Sequence, residues 1–107
     1  MPAPSGTDPV LSRFRAAVDA AFGQRVERVV LFGSRARGEA TANSDYDIAV
    51  FLRPPNDLWD DLGPLAGIGT ALLLEAGAMI SAKPFPAGSW RTRTPLMGEI
   101  RRDGRDL

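Results

Sequence analysis

Two short motifs ten residues apart constrain this chain more than any other feature. The first is the pair Gly33-Ser34, which ends an apolar, β-branched run. The second is the triplet Asp45-Tyr46-Asp47, which opens another apolar run. Uninterrupted apolar runs of this length are typical of strands buried on both faces. The pattern therefore predicts two strands joined by a polar loop, with small and acidic residues where the strands meet that loop.

The Gly33-Ser34 turn has the residue types that bring backbone close to an anion. Glycine has no Cβ to obstruct a ligand, and Ser34 can cap a short helix over residues 35–38. The free N–H groups and the positive dipole end of such a helix would face a phosphate. Arg35 and Arg37 alternate, so we expect one of them to face the site and to pair with phosphate oxygens.

The two aspartates are spaced to act together. Side chains alternate along a strand, so Asp45 and Asp47 are expected on one face, and Tyr46 and Ile48 on the other. Two neighbouring carboxylates repel each other and are costly to bury, and a divalent cation relieves both effects. Because the set contains no His or Cys, Mg²⁺ is favoured, with Mn²⁺ as the alternative, over Zn²⁺. A lone Asp-x-Asp is more often a solvated strand start, so the metal interpretation depends on the nearby Gly33-Ser34 turn.

The order Gly-Ser, ten residues, Asp-x-Asp resembles the signature of the DNA polymerase β-type nucleotidyltransferases, and most closely that of the minimal nucleotidyltransferases. The strong match covers residues 31–52, and residues 100–107 more weakly resemble the helix and Arg-Gly turn that close many such domains. The resemblance implies an α/β fold with a small mixed sheet and helices on one side of it.

The resemblance also implies a function. Small prokaryotic members often serve as antitoxins beside HEPN-domain toxins, and some transfer AMP from ATP to a tyrosine of the toxin. By this resemblance the chain is a Mg²⁺-dependent nucleotidyltransferase and antitoxin, with ATP and a HEPN-type toxin as partners. The implied catalytic and metal-binding residues are Asp45 and Asp47, and the implied nucleotide-binding residues are Gly33, Ser34, Arg35 and Arg37.

One departure from the family pattern leaves the function open. Members with two-metal catalysis carry a third carboxylate on a later strand. The expected strand here has no Asp or Glu, and Met79 or a neighbour takes that place. Glu75 is close in sequence but is expected at the end of a helix. The alternative is a weak or inactive nucleotidyltransferase fold that neutralises its toxin by direct binding. Transfer to a small molecule, as in aminoglycoside-modifying relatives, is a third option with less support.

The amino-acid composition limits the kinds of catalytic site, metal site and partner that the chain can have. The absence of cysteine and histidine excludes disulfides, Cys/His zinc sites and imidazole-based catalysis. The formal net charge is zero, so no direct nucleic-acid binding is expected. Residues 39–75 carry a formal charge of −6, and the flanking segments 1–38 and 76–107 carry +3 each. This segregation fits metal recruitment and a basic partner, or equally an incidental surface pattern.

No membrane partner is expected, because no apolar run approaches the length of a membrane span. The first residues lack the charged and apolar regions of a signal peptide, so we expect a cytoplasmic protein. Residues 1–7 are expected to be a flexible leader, and residues 8–107 a single domain. Self-association into a homo-oligomer stays open.

The remaining elements follow from periodicity. A first helix is predicted from Asp8-Pro9 to Gly23, with an apolar stripe made of Leu11, Phe14, Val18, Ala21 and Phe22. Strands are predicted at about 28–32, 47–52 and 79–85, with prolines marking the end or the edge of the third. A segment over 58–76, capped by Asp57, is expected to be kinked or divided at Pro64. A last helix should cover 95–102. Trp90 should cover the core, with a contact to adenine or to a toxin as the alternative.

Overall fold

A computed structural model describes residues 8–41, 43–55 and 57–107. The expected leader, residues 1–7, lies outside the described residues. The four strands form one mixed sheet in the order β3-β2-β1-β4. Their bounds are β1 Val26–Phe32, β2 Tyr46–Leu52, β3 Ile80–Pro86 and β4 Arg105–Asp106, and the helices are α1 Pro9–Phe22, α2 Leu58–Ala76 and α3 Pro95–Asp103. Strand β1 is antiparallel to β2 and β4, whereas β2 and β3 are parallel. This arrangement confirms the expected α/β fold with a small mixed sheet.

Helix α1 begins and ends as its sequence predicts. The Asp8 side chain accepts a hydrogen bond of 2.9 Å from the Val10 N–H, and Gly23 ends the helix with a φ of 56°. The residues buried against the sheet are Leu11, Phe14, Val18 and Phe22. Ala21 is exposed, so its inclusion in the apolar stripe was wrong. It lies beside the buried stripe and not on it, because a helix turns by 3.6 residues.

Helix α2 is one continuous helix of 19 residues, so of the two expected forms, a kinked helix or two pieces, the division at Pro64 did not occur. The helix continues through Pro64, which is exposed and removes only one N–H donor from it. Burial of Leu65 and Leu72 holds the helix against the sheet. At its start, the predicted cap is confirmed, since Asp57 accepts a 3.0 Å hydrogen bond from the Asp60 N–H.

The two faces of the sheet are covered by different helices. The face under α1 and α2 contains Tyr46, Ile48 and Val50 of β2. The opposite face contains Ala49 and Phe51, which pack against Met97 and Ile100 of α3. The expectation of helices on one side is therefore wrong for α3, whose buried residues are too few for periodicity alone to assign a face. Alternation along β2 places Asp47 on the α3 face.

Strand β3 is an edge of the sheet, as its prolines indicated. The Tyr46 N–H donates to the Met79 carbonyl and the Ala87 N–H donates to the Leu52 carbonyl, both at 2.9 Å. In a parallel pair, these two hydrogen bonds fix which residues of β3 bond to β2. The N–H and C=O groups of residues 81, 83 and 85 point toward β2, whereas those of residues 80, 82, 84 and 86 point outward. Pro84 and Pro86 therefore lack N–H donors only on the open side, where the loss costs no ladder hydrogen bond and discourages another strand from pairing.

The C-terminal strand β4 was not predicted from the sequence, because two residues show no periodicity. It pairs with Val30 and Leu31 of β1, and the Leu107 N–H donates to the Val29 carbonyl at 2.9 Å. Trp90 packs partly buried over the α3-side core, as expected, and its Nε1 donates to Glu27 at 3.1 Å. Across the described ranges, no helix is both long and apolar enough to cross a membrane.

Candidate functional site

The turn after β1 starts at Gly33, whose φ of 75° is a left-handed value that favours glycine. The N–H groups of Ala36 and Arg37 donate to the Gly33 carbonyl at 3.1 and 3.2 Å. The chain makes consecutive turns here, so the short helix expected over residues 35–38 is not formed. Within the described residues, the backbone N–H groups of Ser34 and Arg35 have no protein acceptor. The turn therefore still presents donors, although without a helix dipole behind them.

Gly33 and Asp47 meet directly. Phe32 pairs with Asp47 across the antiparallel strands, which brings the turn after β1 beside the start of β2. A Cβ added to Gly33 would collide with the Oδ2 atom of Asp47. Glycine is thus required here both by its φ angle and by the carboxylate next to it. The two motifs that are ten residues apart in the sequence lie side by side in the structure.

The electrostatics of this site centre on Asp47. Burial raises the pKa of Asp47 above its ordinary value, and the charges of Asp45 and Glu99 raise it further. Lys83 and Arg37 act in the opposite direction and lower that pKa. Asp45 itself is exposed, and Asp47 is half-buried. Excess negative charge at a partly desolvated position favours binding of a cation.

The chemistry of the donor set fits a hard divalent cation. Asp45 and Asp47 supply carboxylate oxygens and no nitrogen or sulfur, which suits Mg²⁺ or Mn²⁺. In the described part of the chain, no group of three or more acidic, His or Cys side chains is arranged to hold a metal. A cation bound here would therefore take further ligands from water or from substrate phosphates, as Mg²⁺ commonly does.

Arg35 has a structural role that its predicted assignment to the nucleotide did not include. Its Nε and Nη2 atoms donate to the Ser44 carbonyl at 3.0 and 2.7 Å. Its guanidinium carbon lies 3.9 Å from the centre of the Tyr46 ring. These contacts tie the Gly33 turn to the residues just before β2, so Arg35 holds the loop that carries Asp45.

Arg37 contacts carboxylates near Asp47, and its charge lowers the pKa of Asp47. Its Nε donates to Glu39 at 2.9 Å and its Nη1 donates to Glu99 of α3 at 3.2 Å. Glu39 is the main cause of a raised Arg37 pKa, so the guanidinium stays charged. The two arginines thus have different contacts, since Arg35 binds loop carbonyls and Arg37 binds two glutamates.

Three residues near Asp47 were not assigned to the site from the sequence. Ser81 pairs with Asp47 across the parallel strands, so the adjacent position on β3 carries a hydroxyl. Met79, expected at or next to the place of the third carboxylate, lies just before β3. Lys83 and Glu99 contribute charge to the site. Strand alternation would have indicated Lys83 once the register was known, whereas Glu99 comes from α3, the helix that covers the same face of the sheet as Asp47. Glu75, expected at a helix end, forms an ion pair with Arg13 of α1.

Comparisons with known proteins agree with this geometry. The family described as nucleotidyltransferase domain matches residues 11–83 of the chain. No curated protein matches it significantly.

Solved structures share the fold at low sequence identity. A chain of a toxin–antitoxin MntA-HpeT mutant is 14% identical with a TM-score of 0.62, covering 89% of this chain and 69% of that one. A chain of a toxin–antitoxin crystallised with AMP-PNP is 18% identical with a TM-score of 0.56, covering 87% of this chain and 68% of that one. A protein of Sulfolobus solfataricus described as a candidate nucleotidyltransferase is 17% identical with a TM-score of 0.53, covering 98% of this chain and 87% of that one.

Proposed function

The chain belongs to the nucleotidyltransferase domain family, and from this premise we propose that it transfers AMP from ATP to a hydroxyl group of a partner HEPN-type toxin. The acceptor we favour is a tyrosine, and the transfer makes the protein an antitoxin acting in the cytoplasm. The similarity in fold to chains from two toxin–antitoxin crystal structures supports this choice of partner. The observation that carries the proposal is the contact between the Gly33 turn and Asp47.

Each residue of the site has a role in this reaction. Asp45 and Asp47 would hold Mg²⁺, which supplies charge neutralisation at the phosphates when it is bound. The free N–H groups of Ser34 and Arg35 donate to the β and γ phosphates. Arg37 offsets the charge that develops on the leaving pyrophosphate. Arg35 keeps the loop before β2 in place through the Ser44 carbonyl.

The bonds exchanged are those of a simple displacement. The acceptor oxygen forms a bond to the α phosphorus of ATP, and the bond from that phosphorus to the bridging oxygen of the β phosphate breaks. Pyrophosphate leaves with the bonding electron pair. The position beside Asp47 on β3 is Ser81, which is no base. The acceptor proton therefore passes to water or to a group on the acceptor itself.

Transfer of label from ATP tests the proposal. The purified protein is mixed with Mg²⁺, α-labelled ATP and the product of the neighbouring gene. We expect label on that product, and a loss of at least about a hundredfold in Asp45→Asn. Asp60→Asn, which changes an exposed carboxylate at the start of α2, is the matched control and should transfer normally. No transfer by the wild type, or equal transfer by Asp45→Asn, would remove the enzymatic proposal.

A second function, neutralisation by direct binding, is favoured by a different observation. Trp59 and Leu74 of α2 are 81% and 80% exposed, which is unusual for side chains of this size. Large exposed aromatic residues often dominate the energy of protein interfaces. In this alternative α2 contacts the toxin, and the site at Asp47 is not required.

Co-expression with the toxin separates the two functions. If catalysis protects the cell, Asp47→Asn fails to protect it and Trp59→Ala still protects, although with a weaker complex. If binding alone protects, Asp47→Asn protects and the double variant Trp59→Ala/Leu74→Ala does not. Circular dichroism on each variant ensures that only folded proteins are compared.

A further inference from the structure

Lys83 is the single lysine among 13 basic residues of the chain. The parallel register pairs Asp47 with Ser81 and Ala49 with Lys83, so Lys83 lies one pair farther along the face that carries Asp47. The next pair confirms the face, because the rings of Phe51 and Phe85 stack there with centres 5.6 Å apart. The chain therefore places its one lysine side chain next to the candidate metal site.

The cations around Asp47 differ in what they contact. Arg35 donates to loop carbonyls, and Arg37 donates to Glu39 and Glu99. Lys83 is exposed and forms no ion pair within the part of the chain that the structure describes. Its charge still reaches the site, since it lowers the pKa of Asp47. Among the described residues, Lys83 is thus a cation beside Asp47 that is exposed to solvent and has no carboxylate within ion-pair distance.

We propose that Lys83 binds the phosphate groups of the nucleotide and that β3 thereby supplies a fixed positive charge beside Asp47. The inference rests on the proposed nucleotidyltransferase function. An ammonium on a flexible four-carbon stem is a compact charge that suits phosphate oxygens. The family resemblance implies a carboxylate on this strand, which would recruit a second cation. In this chain the strand carries Ser81 and Lys83 and no carboxylate. The positive charge that offsets the phosphates then comes from the Lys83 side chain and not from a second metal ion.

Chemical labelling of amines tests this inference directly, because the chain offers only two amines, the N-terminal α-amine and Lys83. An amine-acetylating reagent is applied with and without saturating Mg²⁺ and ATP, and each site is quantified by mass spectrometry. We expect ATP to slow acetylation of Lys83 about tenfold, since a bound phosphate blocks the ammonium. The N-terminal amine should react at the same rate in both samples and is the internal control.

Two variants separate charge from shape. We expect Lys83→Gln to weaken Mg²⁺–ATP binding about tenfold in calorimetry, the value of one charge-assisted phosphate contact. Lys83→Arg, which retains the charge, should stay within about threefold of the wild type. Because residue 83 is exposed, both variants should fold, as circular dichroism would verify.

The outcomes distinguish this inference from the function on which it rests. Absence of ATP binding by the wild type removes both. Normal ATP binding with unchanged labelling of Lys83, or with equal affinity in Lys83→Gln, overturns the role of Lys83 alone. Protection of Lys83 together with loss of affinity in Lys83→Gln and rescue in Lys83→Arg supports it.

Discussion

At the scale of single residues, the site is governed by the distance between the backbone of Gly33 and the carboxylate of Asp47. Gly33 has a left-handed φ, and its α-carbon leaves room for no further heavy atom on the side of Asp47. Gly38, five residues later, has nearly the same φ of 76°, but a Cβ there would meet nothing within 4 Å. A comparison of substitutions at Gly33 and Gly38 therefore separates the cost of a left-handed φ from the cost of crowding the Asp47 carboxylate.

We expect Gly38→Ala to lower the free energy of unfolding by about 1 kcal/mol, the cost of a left-handed non-glycine residue. Gly33→Ala should cost that amount and a further ~1–3 kcal/mol, because its methyl group displaces Asp47. Denaturant unfolding of both variants measures the difference. Equal destabilisation of the two would show that Asp47 is not confined by Gly33.

The raised pKa of Asp47 leads to a prediction about pH. The folded chain holds the Asp47 proton more tightly than the unfolded chain does, so this group's contribution to stability is greatest below its ordinary pKa of 3.8. That contribution is lost as the pH rises through the higher, folded-state pKa. Asp47→Asn removes the free-energy penalty of keeping an ionised carboxylate at this partly buried position.

Without nucleotide or metal, Asp47→Asn should therefore melt a few degrees above the wild type at neutral pH. Thermal unfolding from about pH 7 down to about pH 4 should show the difference shrinking, as the wild-type carboxyl gains its proton. Asp60→Asn, at an exposed position, provides the control. A variant that is less stable than the wild type at neutral pH would contradict the account.

At the scale of elements, α2 is fixed by a buried ion pair. Asp61 is 1% exposed, and both of its carboxylate oxygens accept from Arg25, at 2.8 and 3.0 Å. Arg25 follows α1 in a 3₁₀ turn and also donates to the Arg53 carbonyl at the end of β2. One guanidinium thus joins three segments that are remote in sequence. Such a pair is costly to break from one side, because the remaining charge stays buried.

We expect Asp61→Ala to lower the free energy of unfolding by about 3–5 kcal/mol. Asp60→Ala changes the neighbouring carboxylate on the exposed side of α2 and should change it by no more than about 0.5 kcal/mol. Urea unfolding of both variants provides the measurement. A small effect of Asp61→Ala would mean that α2 depends on its apolar contacts and not on the ion pair.

Periodicity and capping patterns in the sequence predicted the elements whose signals are local. The start of α1 at Asp8-Pro9 and the cap of α2 at Asp57 are examples, because a capping bond joins residues two or three apart. The continuity of α2 across Pro64 depends on packing against the sheet, and the two-residue β4 depends on β1. Neither depends on local sequence, which is why a kinked and a divided α2 both stayed open from the sequence and β4 was missed.

The same distinction applies to the candidate site. Gly33, Asp45 and Asp47 were found because their spacing is visible along one stretch of chain. Lys83 and Glu99 approach Asp47 from a parallel strand and from a helix on the α3 face. Their contribution depends on strand register and on the face that α3 covers, and neither is encoded in a short segment.

At the scale of the whole molecule, the fold pairs three of the seven acidic residues of segment 39–75 with basic residues of the N-terminal segment. The acidic middle segment pairs with the basic N-terminal segment through Arg13–Glu75, Arg25–Asp61 and Arg37–Glu39. Part of the segregation therefore joins segments within the chain, and the remaining acidic residues stay available to a cation or a basic partner. Asp45, Asp47 and Lys83 form no ion pair among the described residues, and they lie at the proposed site.

The central claim is that Asp45 and Asp47 share a cation with a triphosphate held at the Gly33 turn. Calorimetric titration of ATP into the protein, with and without Mn²⁺, tests it most directly. We expect ATP to bind with Mn²⁺, and to bind at least about tenfold more weakly without it or in the double variant Asp45→Asn/Asp47→Asn. ATP binding that is independent of Mn²⁺ and unchanged in the double variant would contradict the claim.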